Sequence, residues 1–201
     1  MKDLVVLVAD KDAEQTLNTL LGARQQSLGI RPIHYDIFVH PERDGGVRSR
    51  CAEFLRPHTN GYRYALVVFD YEGCGASNPV NQLEADLESK LSVSGWQDRA
   101  SVIIIEPELE NWVFSPSPEV ASIIADGKQE IYSKHLSSAA FTPQGKPVHP
   151  KELMQAIMRE ARVQRSSALF SELAKKVSLR GCQDPAFQKL LRVLQSWFPR
   201  D

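Results

Sequence analysis

Five acidic residues in two short stretches, "FDYEG" (69–73) and "EPELEN" (106–111), stand where apolar runs end. Asp70 and Glu72 occupy alternate positions after "LVVF" and are followed by Gly73 and Gly75. If the backbone stays extended there, alternate side chains point the same way. Crowded carboxylates raise one another's pKa or require a cation. Hard oxygen donors of this kind suit magnesium or manganese. The glycines permit a close turn around an ion or phosphate. They match neither a lysine-bearing phosphate loop nor a dinucleotide fingerprint. A structural explanation stands beside this one, because strand ends meet solvent and helix starts favour Asp and Glu.

Other residues with chemical capacity lie at equivalent places. Asp10 and Asp12 follow "LVVLVA", as site carboxylates or as helix caps. In "HPERDGG", His40 has the chemistry of an acid–base group. Arg43 is a phosphate ligand candidate, and Asp44 orients His40 or joins a metal site. Glu106, Glu108 and Glu110 follow the run "SVIII". Pro107 biases Glu106 toward extended backbone. A helix starting there sets Glu106 and Glu110 one turn apart on a shared face. Trp112 then serves as core or as a lid over the site. Lys146 and Lys151, in "GKPVHPKE", can reach an anionic ligand. His34, His58, His135 and His149 have weaker claims.

The elements that must position these residues alternate. Branched apolar runs at 4–9, 33–39, 64–69 and 101–106 read as strands. Between them, helical spacing marks 12–28, 47–56 and 79–91. This order predicts an α/β fold, a mostly parallel, Rossmann-like sheet of about four strands flanked by helices. In such a sheet the C-terminal strand ends share one edge, where sites form. Every expected strand delivers acidic residues to that edge. After Trp112 the pattern turns helical, with segments at 119–126 and 128–136, a proline-rich loop "FTPQGKPVHP", and helices beginning near Pro150, Leu169 and Asp184. We therefore expect an α/β core over 1–115 and a helical extension over 116–201 packed on it.

Composition narrows the class. The chain has 201 residues, 42% of them hydrophobic, which is enough for one sizeable core. No run reaches the length of a membrane span, and "MKDLVVLVAD" reads as a first strand in place of a signal peptide. Cys51, Cys74 and Cys182 fit no zinc spacing and no complete disulfide framework, which points to a reducing, cytoplasmic setting. The net charge of -1 conceals a split: residues 146–201 hold 11 Lys and Arg against 5 Asp and Glu. The basic end is either a surface for nucleic acid or an acidic partner, or an ordinary solvated helical face.

The series "HPERDGG", "FDYEGCG", "SGWQDRA", "EPELENWVFSPSP", "GKPVHPKE" and "CQDPAFQKLLRVLQSWFP" resembles the methylation-associated defence protein family over nearly the whole chain. "VLVADKDAEQTLNTLL", "VVFDYEG" and "IIIEPELENWVF" resemble the acidic landmarks of Toprim-like proteins over about residues 1–115. The Toprim resemblance implies Mg-dependent cleavage or rejoining of nucleic-acid phosphodiesters. It maps the acidic pair onto Asp70 and Glu72 and a later carboxylate onto Glu110. The sequence departs from that pattern where the first glutamate falls at Ala9 or Asp10, and where Glu72 replaces an aspartate.

The leading expectation is a metal-dependent, nuclease-like component of an anti-phage system. Asp70, Glu72, Glu110 and Asp44 would hold Mg2+ or Mn2+. Asp10 and His40 would assist catalysis, and Arg43, Lys146 and Lys151 would bind phosphate. Its alternatives are a non-catalytic accessory or sensor subunit that docks a defence partner or DNA, and a small-molecule phosphohydrolase.

Overall fold

The computed structural model describes residues 1–178 and 182–200. Four parallel strands form its sheet: β1 (Lys2–Val8), β2 (Tyr35–Val39), β3 (Tyr62–Asp70) and β4 (Ala100–Ile105), in the order β2-β1-β3-β4. The helices are α1 (Lys11–Ala23), α2 (Gln25–Leu28), α3 (Arg43–Leu55), α4 (Val80–Leu91), α5 (Glu110–Val113), α6 (Pro118–Ile124), α7 (Gln129–Ser137), α8 (Pro150–Ala161), α9 (Ser167–Lys176) and α10 (Pro185–Trp197). Among the described residues, no helix is long and apolar enough to cross a membrane.

The near-continuous apolar strands β1, β3 and β4 are buried on both faces, while the edge strand β2 is half-buried. Leu4, Val6, Val8, Leu66, Val68, Ile103 and Ile105 face one cluster, which also holds apolar side chains of α1, α6, α8, α9 and α10. Val5, Leu7, Ala65, Val67, Phe69, Val102 and Ile104 face the other, filled by α3, α4 and Trp96. The C-terminal helices thus pack on one sheet face and share its core.

Two expected elements differ in detail. The helix expected over 12–28 breaks at Arg24, and its last turn closes at Gly29 with φ of 73°, a left-handed cap that suits glycine. The helix expected over 47–56 begins earlier, with α3 already starting at Arg43, so Asp44 lies in its first turn. Gly46 is required there, because a Cβ would meet the His40 Nδ1 at 2.4 Å.

The outer edge of β4 is closed by side chains. Glu88 accepts from the Val102 N–H at 2.9 Å, and Glu84 accepts from the Ile104 N–H at 3.0 Å. Lys189 of α10 donates to the Val102 carbonyl at 2.8 Å and pairs with Glu84 and Glu88 at 2.9 and 3.0 Å. These groups replace a fifth strand and hold α10 against the sheet. Replacing Lys189 with Met should cost about 1–3 kcal/mol, since two partly buried carboxylates and a carbonyl lose their donor. Urea unfolding measures it, and a loss under about 0.5 kcal/mol would mean that the clamp contributes little.

Candidate metal centre

Asp70 is the last residue of β3 and lies half-buried at the C-terminal edge of the sheet. Glu108 and Glu110 follow β4, the first in a loop and the second opening the one-turn helix α5, and both are buried. One carboxylate oxygen from each of the three lies within 4.8 Å of the others. A Mg2+ ion takes oxygens at about 2.1 Å, so neighbouring ligands of its octahedron stand about 3 Å apart and opposite ones about 4.2 Å, and the triad would have to draw together to close on it. The donor set is all carboxylate, the chemistry that hard divalent cations prefer.

The electrostatics of Asp70 fit a missing positive charge. Burial first, and then the charges of Asp44, Glu110, Asp10 and Glu108, push its carboxyl well above the usual range. Glu110 is also raised, by burial and by Glu108, against the pull of its own backbone N–H, Arg165 and Lys151. Asp44 is raised mainly by burial and partly by Asp10, although it accepts the Asp70 N–H. That hydrogen bond is 2.9 Å long and ties α3 to the end of β3.

Two cations border the triad. Lys151, at the start of α8, pairs with Glu108 at 2.8 Å. Burial lowers its pKa, but the Glu108 hydrogen bond and the charges of Glu108, Glu110 and Asp70 outweigh that and raise it. Arg165, just before α9, spans Glu110 and Asp12 at 2.7 Å each. Ser167 adds a 2.6 Å hydrogen bond to Asp12.

The sequence-predicted residues divide into several groups. Asp70 and Glu110 come together as expected. Asp10 lies near them and caps α1 by accepting the Ala13 N–H at 2.9 Å. Asp44 buttresses the Asp70 backbone and does not orient His40. Glu72 is exposed and outside the triad, because the strand ends at Asp70 and the chain turns before the next alternate position. His40 is buried beside Phe54, its Nδ1 accepting the Glu42 N–H at 3.1 Å. Burial, with Arg50 adding to it and Glu42 opposing, lowers its pKa. Arg43 is exposed at the start of α3.

Lys151 faces the carboxylates, whereas Lys146 is buried and donates to the Asn111 and Phe114 carbonyls at 2.9 and 2.6 Å. Its ammonium holds the chain after Glu110 and is not directed at an anion. Glu106 is exposed, because α5 begins four residues later than a helix started at Glu106 would. Glu108 takes the inward place. Its signal was the Glu-x-Glu-x-Glu spacing, which did not say which members turn in. Arg165 carried no signal, since its role depends on a turn between two helices far along the chain.

A raised carboxyl binds a proton in the fold that the unfolded chain has released. Stability therefore falls as pH rises from the ordinary range, near 3.8 for aspartate, through the raised pKa, and levels off above it. Without added metal, Asp70→Asn should be more stable than wild type at neutral pH, with the difference shrinking toward pH 4. Relief of each kcal/mol would raise Tm by about 2–4 °C in a chain of this size. Thermal unfolding in a chelator checks this, and a variant no more stable than wild type at pH 7 would refute the charge crowding. Compared with known proteins, the chain matches no family model, no curated protein and no solved structure.

Proposed function

We propose that the protein is a Mg2+- or Mn2+-dependent hydrolase of nucleic-acid phosphodiesters, a nuclease-like component of an anti-phage system. The observation that carries this reading is the convergence of Asp70, Glu108 and Glu110 within 4.8 Å at the C-terminal edge of a parallel sheet. A divalent ion held by these residues would polarise a phosphoryl oxygen and lower the pKa of bound water. The resemblance to defence proteins suggests the biological setting, and the resemblance to Toprim-like proteins the nucleic-acid substrate. Lys151 and Arg165 stand where they can donate to phosphate oxygens once the ion takes over the charge of Glu108 and Glu110.

One feature favours a second reading, a non-catalytic accessory subunit. Glu108 and Glu110 already have cationic partners, so the triad is partly neutralised by the chain itself. In that reading the ion pairs join the C-terminal helices to the sheet and no ion is needed.

The two readings part in a metal-dependent cleavage assay on single- and double-stranded DNA and RNA. Wild type should cut with Mg2+ or Mn2+ and be inert in chelator. Asp70→Asn and Glu108→Gln should each lose more than about 100-fold, beyond the 10–100-fold typical of a group that only orients ligands. Ion binding by calorimetry without cleavage of any polymer would reject the nuclease reading. Turnover of free nucleotides alone would replace it with a small-molecule phosphohydrolase.

A further inference from the structure

The segment after β4 carries two of the three triad carboxylates, and the C-terminal region grips it at several points. Lys146 holds the Asn111 and Phe114 carbonyls, and Lys151 holds Glu108 through both its ammonium and its backbone N–H, the latter at 3.2 Å. Arg165 holds Glu110. The remaining grip is the least expected, because it comes from an acidic residue buried without contact with the triad's ligand atoms. Asp184 is 1% exposed and precedes α10. One of its oxygens, Oδ1, accepts the Phe187 N–H at 2.9 Å, the cap of that helix, and also the Trp112 indole N–H at 2.9 Å. The other, Oδ2, accepts the Asn111 side-chain amide at 2.6 Å.

Capping α10 needs only one oxygen. The second oxygen and the bond to the indole are spent on the two residues that directly follow Glu110. Asn111 also donates from the same amide nitrogen to the Glu106 carbonyl at 3.3 Å, closing the loop from β4 to α5. Trp112 rests edge-on against Phe187, with ring centres 5.3 Å apart, so the first turn of α10 meets α5 through both polar and apolar contact. A buried carboxylate is costly unless hydrogen-bonded, and here each oxygen is taken.

We infer that Asp184 is a positioning residue for the carboxylate triad, fixing Glu108 and Glu110 through Asn111 and Trp112. This rests on the metal-site reading above. It makes the start of α10 part of the site's supporting framework, although its last turns pack on the sheet and on α2. Residues that orient ligands typically change metal affinity 10–100-fold.

Asp184→Asn tests the inference. Its oxygen can still cap α10 and accept the indole N–H, but its amide then faces the Asn111 amide nitrogen, and flipping Asn111 to meet it with Oδ1 gives up the bond to the Glu106 carbonyl. Trp112→Phe removes the indole donor and keeps an aromatic ring, a second variant should the first fold poorly. Leu194→Ala, which empties a fully buried position on the same helix, reports the effect of weakening α10 alone. Mn2+ affinity by calorimetry should fall about tenfold or more in Asp184→Asn and severalfold in Trp112→Phe, and stay at the wild-type value in Leu194→Ala. Wild-type affinity in Asp184→Asn, or an equal loss in Leu194→Ala, would overturn the inference. Amide hydrogen exchange across residues 108–113 decides the matter if wild type itself binds no Mn2+, a result that rejects the metal reading separately. Faster exchange there in Asp184→Asn but not in Leu194→Ala supports the positioning role; unchanged exchange ends it.

Discussion

Asp70 ends its strand with Asp10, Asp44, Glu108 and Glu110 all close enough to raise its pKa, and that repulsion is the constraint the rest of the edge answers to. Two unit charges 4 Å apart interact by about 4 kcal/mol at an effective dielectric of 20. One ordinary hydrogen bond contributes about 1 kcal/mol net. No set of backbone donors at a loop can offset several such pairs, so the cluster needs protons or cations. The chain supplies two cations, but to Glu108 and Glu110. Asp70 receives no ion pair among the described residues, and its neighbour Asp44 uses an oxygen on the Asp70 backbone instead.

This electrostatic demand explains the uneven distribution of charge along the sequence. The acidic body and basic end are partly complementary surfaces of one molecule. Lys151 meets Glu108, Arg165 meets Asp12 and Glu110, and Lys189 meets Glu84 and Glu88. Each pair joins a C-terminal element to the sheet or to a helix beside it. A basic tail therefore does not by itself imply a surface reserved for nucleic acid. Some of its charge is committed at the site edge, where it would be released only if another cation took its place.

The sheet was legible because its strands are short runs of branched apolar residues buried on both faces, a pattern that depends only on neighbours in sequence. Asp70 and Glu110 were legible for the same reason, each being tied to a strand end. The failures were non-local. Glu72 looked equivalent to Asp70 by alternation, but alternation holds only while the backbone is extended, and β3 stops one residue too soon. Lys146 looked free to reach an anion, yet carbonyls 32 and 35 residues earlier in the chain capture it. Arg165 and Asp184 have meaning only once the C-terminal helices are folded onto the sheet. A helix cap was evident at Asp184, while the use of its second oxygen was not.

The same geometry limits what the site can do before any ligand arrives. A divalent cation entering the triad would compete with the ammonium on Glu108 and the guanidinium on Glu110. Binding would then be an exchange of positive charge, in which Lys151 and Arg165 would be freed as the ion is taken up. Groups freed in this way are cations placed at the rim of a metal site, the position in which a phosphate oxygen would be met. A purely structural ion-pair network has no use for a carboxyl at its centre that makes no ion pair among the described residues, because a neutral residue in place of Asp70 would hold the helices at least as well. The crowding of carboxylates around Asp70, beyond what joining the helices needs, is the physical argument that supports the proposed metal reading over the structural one.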